Sequence, residues 1–360
     1  MIQLELKKSC KKITLNPFSY AVSSAGTAAL AAVVLLSVQV AMLAVTKSWA
    51  SLVLICCSTA ASAAAQAVFF FCGKKVPCGR TWSIAAVQGL VAGMLVPSSY
   101  PPLSVFAAAF LIFALGTYFF GSFAGSWANP VALLVAVLYF LNPQYFPSLS
   151  LSAADIQSRN ASLSLIQSGA VPLLQCDPSV TSFLNAAVFK WFGVSIPEGY
   201  VSLFWDSGSS IAAFRFNCIT LLSSLFLILF DMAEAAVPAL FLLVYALLVR
   251  FLSPVITGGI PLQGDCLLAL LTSGTLFCTF YLLQWYGTVP VTRGGKAAYG
   301  IAAGAAGFVI IGIGASSAGY AFTVLVMNLV SLFIQVLEDN LLLRTVSRQL
   351  LPRIQKMDEV

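Results

Sequence analysis

Ten apolar blocks, each long enough or nearly long enough to cross a bilayer, run through this chain. They fall near Thr27–Val45, Ala50–Phe71, Trp82–Leu95, Pro102–Phe120, Val131–Leu141, Ile211–Phe230, Ala235–Phe251, Cys266–Trp285, Ala297–Ile313 and Ala321–Val336. A hydrocarbon core about 30 Å thick takes roughly 20 apolar residues of helix. Lipid offers no partner to a backbone N–H or C=O, so each block satisfies its own hydrogen bonds as a helix. With 60% hydrophobic and only 8% charged residues, no soluble core could enclose the apolar surface. The sequence therefore predicts an all-α membrane protein of about ten transmembrane helices. The fifth block is short, which predicts a helix that is tilted, buried by its neighbours or broken near the midplane.

The blocks group as five (residues 27–141) and five (211–337). A polar stretch, 142–210, separates them, and shorter segments, 1–26 and 338–360, flank them. An odd number of spans in each half forces the halves to opposite orientations, the pattern of transport folds built from inverted repeats. The central stretch is too long for a simple connector. Its acids (Asp155, Asp177, Glu198, Asp206) and its apolar anchors (Phe189, Trp191, Phe192) predict a folded cap.

Orientation follows from the lysines and arginines, which stay on the cytoplasmic side of short loops. Thirteen of the 18 fall on the side of the two termini, among them Lys7, Lys8, Lys74, Lys75, Arg293, Lys296, Arg344 and Arg353. The other five are Lys47, Arg159, Lys190, Arg215 and Arg250. Both termini are thus expected in the cytoplasm, with 142–210 external, in a cell inner membrane. The net charge of +6 follows from this topology and implies no nucleic-acid partner. The polar start through Asn16 shows no separable cleavage pattern, so the first span reads as a retained helix.

The chain has no histidine, which removes imidazole metal ligation, bis-histidine haem and histidine general-base chemistry. Its nine cysteines show no CxxC pair and lie mostly in apolar spans, where cysteine acts as a small hydrophobe. The sharper reading is an iron–sulfur ligand from Cys56 or Cys278 shared with another subunit. The spans carry no deep acid: Asp231, Glu234, Glu338 and Asp339 all fall at span ends. No nucleotide-binding glycine fingerprint or paired buried carboxylate is present, so no independent catalysis is expected.

Four places carry candidate chemistry. In Gly121-Ser-Phe-Ala-Gly-Ser-Trp-Ala-Asn-Pro130, Asn129 and Pro130 start a helix, and such a start facing a cavity offers free N–H groups; helix punctuation alone would leave the same letters. Gln167–Leu173 is small and flexible, then rigid at Pro172, and by itself reads as a turn. Arg215, at the edge of the sixth span, either snorkels outward or holds a phosphate. In the ninth span, Gly300-x-x-x-Gly304 has the spacing of close helix contact, and a glycine face also leaves room for a planar cofactor.

In these segments the chain resembles the RnfD/NqrB family of flavin-bearing membrane subunits in ion-translocating electron-transport complexes, RnfD more than NqrB. Gly121–Pro130 is similar to the family's glycine-rich run ending in Asn-Pro, and Ser168–Leu173 to its external Ser-Gly-Ala-Thr-Pro-Leu. Ser273–Phe277, Thr288–Thr292 and Gly294–Gly300 are similar to a later glycine-bearing segment, and Thr323–Asn328 to its Ala-Val-Leu-Leu-Met-Asn ending. The resemblance implies ten helices in two inverted halves, a flavin mononucleotide esterified to the external threonine, and electron passage coupled to sodium or proton movement. It implies as partners the other Rnf-type membrane subunits and a covalent flavoprotein subunit, with electrons running between reduced ferredoxin and NAD.

The chain departs from that pattern at the attachment point, where Val171 stands in place of threonine. Valine has no hydroxyl, so a phosphoester there is excluded. FMN or riboflavin, if present, is expected to be held non-covalently; attachment at Ser168 is less favoured, and loss of flavin would leave a supporting subunit. The candidate cofactor-binding residues are Ser168, Gly169, Ala170, Val171, Gly125, Asn129, Pro130 and Arg215. A stand-alone small-solute channel of urea- or ammonia-channel-like architecture is the alternative, and a pure scaffold the third reading.

Overall fold

The computed structural model describes residues 24–73, 79–120, 128–146, 173–193, 195–257, 262, 264–284, 288–311 and 318–358. They form thirteen α-helices. The first half holds α1 (Ala25–Val45), α2 (Trp49–Gly73), α3 (Gly79–Leu95), α4 (Pro102–Phe120) and α5 (Pro130–Leu141). The central stretch contributes α6 (Asp177–Ala187) and α7 (Tyr200–Trp205). The second half holds α8 (Asn217–Leu229), α9 (Ala236–Thr257), α10 (Cys266–Thr272), α11 (Thr275–Tyr281), α12 (Arg293–Ile311) and α13 (Gly319–Asp358).

Five of these helices, α1, α2, α9, α12 and α13, are long and apolar enough to cross a membrane by themselves. α3, α4, α5 and α8 are shorter apolar helices within the same bundle. Large hydrophobics stand outward along the spans, including Val34, Leu111, Leu115, Leu222, Leu247 and Val309, each at least half exposed except Leu247 at 47%. In lipid that exposure costs nothing. The all-α membrane fold expected from the sequence is the fold observed.

Side-chain contacts fix the direction of each span. Ser83 near the start of α3 donates to the Gly26 carbonyl at the start of α1 (3.0 Å), and both helices end beside the segment that leads into α8. There the Ser98 N–H donates to the Ser210 carbonyl (2.9 Å), and the Arg215 guanidinium reaches Ser48 (2.5 Å). α5 ends at the same face, where the Tyr100 hydroxyl donates to the Leu138 carbonyl (3.1 Å). α8, α10 and α13 start at this face, and α13 does so with Phe322 edge-on to Tyr139 and Phe140 of α5. They run toward the opposite face, where Glu234, Gln284 and Lys296 meet. The odd spans of one half therefore oppose those of the other.

Packing repeats with the inversion. α2 lies on α3 and α4, as α9 lies on α11 and α12; α1 meets α3 as α8 meets α11; α4 meets α5 as α12 meets α13. The halves join through α1 against α8 and α5 against α13. In the second half, Gly300 and Gly304 bring α12 onto the backbone of α9. A Cβ on Gly304 would lie 2.9 Å from the Phe241 carbonyl oxygen, and one on Gly300 would lie 3.0 Å from that of Val237. Here the glycine face is filled by a neighbouring helix.

Two features depart from a plain count of ten spans. The eighth span, expected as Cys266–Trp285, is two short helices broken at Ser273-Gly274, where Gly274 takes φ +67°. And α13 continues from the tenth span through Glu338 to Asp358 as a single helix of 40 residues, so the boundary expected at 337/338 is not a helix end.

The cap sits on the face where α1 ends and α8 begins. Its centre is Asp177, fully buried, whose carboxylate accepts from the Ser202 N–H (2.8 Å) and hydroxyl (2.5 Å), the Gly199 N–H (3.1 Å) and Thr181 (2.9 Å). Burial disfavours the charge, but the hydrogen bonds from Ser202, Gly199 and Thr181 outweigh it and hold the acid below its ordinary value of 3.8. Because the folded-state value is the lower one, Asp177 stabilises the cap at neutral pH, and that contribution is lost as pH falls below about 4. Hydrogen exchange of α6 and α7 is expected to accelerate in that window. Asp177→Asn should remove the acid dependence and loosen the cap at pH 7 by roughly 1–3 kcal/mol. Trp191, expected as an anchor, is instead 87% exposed.

Candidate functional site

The start of α5 is where the halves interlock. Asn129, with no exposed surface, caps the helix: its Oδ1 accepts from the N–H of Val131 (2.9 Å) and Ala132 (3.3 Å), and Pro130 fills the first helical position without an N–H to satisfy. Its Nδ2 donates to the carbonyl of Leu282 (2.9 Å), at the end of α11. With the Asn328 amide turned so that its oxygen faces a donor, that oxygen accepts from the Asn129 N–H at 2.7 Å, and its nitrogen donates to Val324 (3.2 Å). One buried asparagine thus joins α5, α11 and α13.

Of the residues singled out in the sequence, Ser168, Gly169, Ala170, Val171 and Gly125 lie outside the described residues. Asn129 and Pro130 sit at the junction of the halves. Arg215 lies elsewhere, on the cap face, where it is bidentate to Asp206 (2.9 and 2.5 Å) and also reaches Ser48. That ion pair is 15% exposed on each side and clamps the α1–α2 turn to the entrance of α8.

Beside the junction, open toward the face away from the cap, lies a cavity of about 370 Å³. Ala28, Ala29 and Ala32 of α1 and Ile84 and Val87 of α3 form one wall. Leu227, Val237, Phe280 and Val289 form the other, so the cavity lies between the two halves. Its polar rim is the Lys296–Glu234 ion pair with Gln284, which donates to the Glu234 carbonyl (2.6 Å), and Tyr281, which donates to Ser223 (2.7 Å). Glu338 of α13 fixes the rim from behind by accepting from the N–H of Val291 (3.3 Å) and Thr292 (3.2 Å). Asn129 does not line the cavity; it holds the Phe280–Gln284 segment that does, through Leu282.

No sequence signal marked this cavity. Part of one wall is made of small residues of the first span, and Lys296 reads in the sequence only as a topology charge. The small face of α1 was the available clue.

A bundle of two inverted halves of apolar helices, with a cavity and a buried amide junction at their seam, defines a polytopic membrane protein. A family model, the NQR2, RnfD, RnfE family, matches residues 12–341, and the chain belongs to that family. No curated protein matches the chain. Two segments that carry the resemblance in the sequence, ending in Asn129-Pro130 and at Met327-Asn328, meet at the seam.

Proposed function

We propose that the chain is the membrane subunit of a redox-driven, ion-translocating complex, embedded in the cytoplasmic membrane with its cap outside and both termini inside. The family match along nearly the whole chain carries this reading. Its partners are the other hydrophobic subunits of such a complex and a flavoprotein with covalently attached flavin.

The residues present fit a flavin held without a bond to the protein. Val171 cannot form the phosphoester. The seam cavity offers an apolar slot with hydrogen-bonding groups along one edge, the arrangement a planar ring with polar substituents needs. Ala29, Ala32 and Val87 would pack the ring, Gln284 and Tyr281 would orient it, and Lys296 would balance negative charge. A flavin held by these residues would supply one-electron transfer between partners.

The test is a denaturing gel of the purified protein viewed under ultraviolet light, followed by extraction and identification of released flavin. The expected result is a dark protein band and free flavin in the extract, with flavin per protein sharply lowered by Ala32→Phe, which fills the slot. A fluorescent band would overturn the loss of covalent attachment. An extract with no flavin would leave a supporting role only. Solute flux through the lone protein in liposomes would favour the channel reading.

A further inference from the structure

The cap is let into the end of the bundle. Tyr200 at the start of α7 donates to Asp265, which caps α10 by accepting from the Leu268 N–H (3.0 Å). One turn on, Leu203 packs with Leu268, Leu271 and Leu276, and Asn217 of α8 donates to the carbonyls of both Leu203 (3.2 Å) and Leu271 (2.8 Å). At 1.5 Å per residue, Leu271 lies about 9 Å along α10 from Asp265. α7 therefore runs beside the first turns of the eighth span and not above them. α6 is tied to it at that level, since the Asp177 carboxylate takes the Ser202 N–H and hydroxyl, next to Leu203.

α6 divides into three faces. Asp177 and Thr181 turn inward and are buried. Ser179, Ser182 and Ala186 turn the other way and are exposed. Between these faces, Val180, Phe183 and Ala187 form an i, i+3, i+7 stripe that is apolar and open, with Phe183 68% exposed. Val188 and Trp191 carry apolar surface on into the 3-10 turn Phe189–Phe192, and Lys190 stands out between them. The helix thus covers a polar centre and turns its apolar side outward, which leaves that side for a second surface.

Two observations say which surface that is. The stripe belongs to an element seated level with the first turns of the spans, where outward residues such as Leu222 and Leu225 of α8 already face lipid. Exposed tryptophans mark the same level: Trp49 stands next to Ser48, and Trp205 next to Asp206, of the clamp made by Arg215. Tryptophan collects at the headgroup layer, where its ring is in an apolar medium and its N–H is wet. We propose that α6 and the turn after it lie in the phospholipid interface on the cap side. Val180, Phe183, Val188 and Trp191 sit among the upper acyl chains, and Lys190 reaches the phosphates, the division of residues that a helix lying in the interface plane shows. The partner of this face is the bilayer itself, so the cap is held from within by Asp177 and from outside by lipid.

The experiment reads the fluorescence of Trp191 in the purified chain in phosphatidylcholine nanodiscs, as the difference between each protein and its Trp191→Phe counterpart. Bromine on the upper acyl carbons of the lipid reports contact with chains, and iodide in the buffer reports contact with water. Trp191 is expected to be quenched by the brominated lipid, to be spared by iodide, and to emit to the blue of tryptophan in water. Phe183→Asp sets a charge into the stripe and should reverse the pattern, with lipid quenching lost and iodide quenching in its place. Its unfolding temperature in detergent should match the parent's, because the Phe183 ring stands outside the cap. Iodide quenching of Trp191 in the parent would mean that the face is left in water by the lone chain, as a surface kept for a protein partner would be, and would overturn the placement. Lipid quenching that survives Phe183→Asp would overturn it as well. The readout involves neither flavin nor other subunits, so it succeeds or fails apart from the proposed function.

Discussion

Replacing Asn129 with alanine is expected to destabilise the protein by roughly 3–4 kcal/mol, because the Leu282 carbonyl is left buried and unpaired and α5 loses its cap. The donor to Leu282 and the acceptor for Val131 and Ala132 are the two ends of one amide, so no other residue type replaces both. Asn129→Ser keeps a capping oxygen and loses the long donor, and it should fall between the two. Thermal unfolding of the purified variants in detergent gives the order. Equal stability of the alanine variant and the parent would mean that the seam is held by apolar contact alone. Because Leu282 belongs to the segment that lines the cavity, Asn129→Ala should also lower flavin retention without touching any lining residue.

Gly274→Ala is expected to cost roughly 2–4 kcal/mol for two separable reasons. The residue sits at φ +67°, where a side chain strains the backbone by about 1–2 kcal/mol, and its Cβ would lie 2.1 Å from Cδ1 of Phe214. Phe214 is itself fixed by an edge-on contact with Tyr320 at 6.0 Å. Trimming the ring with Phe214→Leu should recover the steric part and leave the backbone part. The double variant would then be less destabilised than the sum of the single ones. Additive losses would show that the break is held by conformation only.

The contrast between these two positions shows what the sequence could carry. Asn129-Pro130 was legible because a capping side chain followed by a residue that lacks an N–H states a helix start in local terms. The spans were legible for the same reason: Pro102–Phe120 and Val131–Leu141 need only hydropathy and a proline to define them, and α4 and α5 fall there. The break at Gly274 was not legible. Ser273-Gly274-Thr275 reads as three small residues in an apolar run, and what excludes a side chain at 274 is Phe214, 60 residues away, occupying the space that a Cβ would need. The residue types that could have flagged it are the hydroxyls on both sides of the glycine, which reach back to the carbonyls of the preceding turn.

The cap divides in the same way. Asp177 was visible as an acid beside a proline, but its role depends on Ser202 and Gly199, which fold over it from the far end of the segment. Trp191 looked like an anchor by bulk, yet it stands outward, and the cap is held by the contacts of Asp177 and by Tyr200 and Leu203 packed against Leu268, Leu271 and Leu276. The seam cavity was invisible for a related reason. It exists only where two inverted halves fail to touch, and neither half encodes it alone.

The 40-residue helix α13 reaches about 60 Å end to end, twice the depth of the bilayer hydrocarbon. Near its midpoint Glu338 ties it to the segment that leads into α12. The same continuous helix seats Asn328 against Asn129, so whatever holds its outer half would be coupled, along one backbone, to the centre of the molecule.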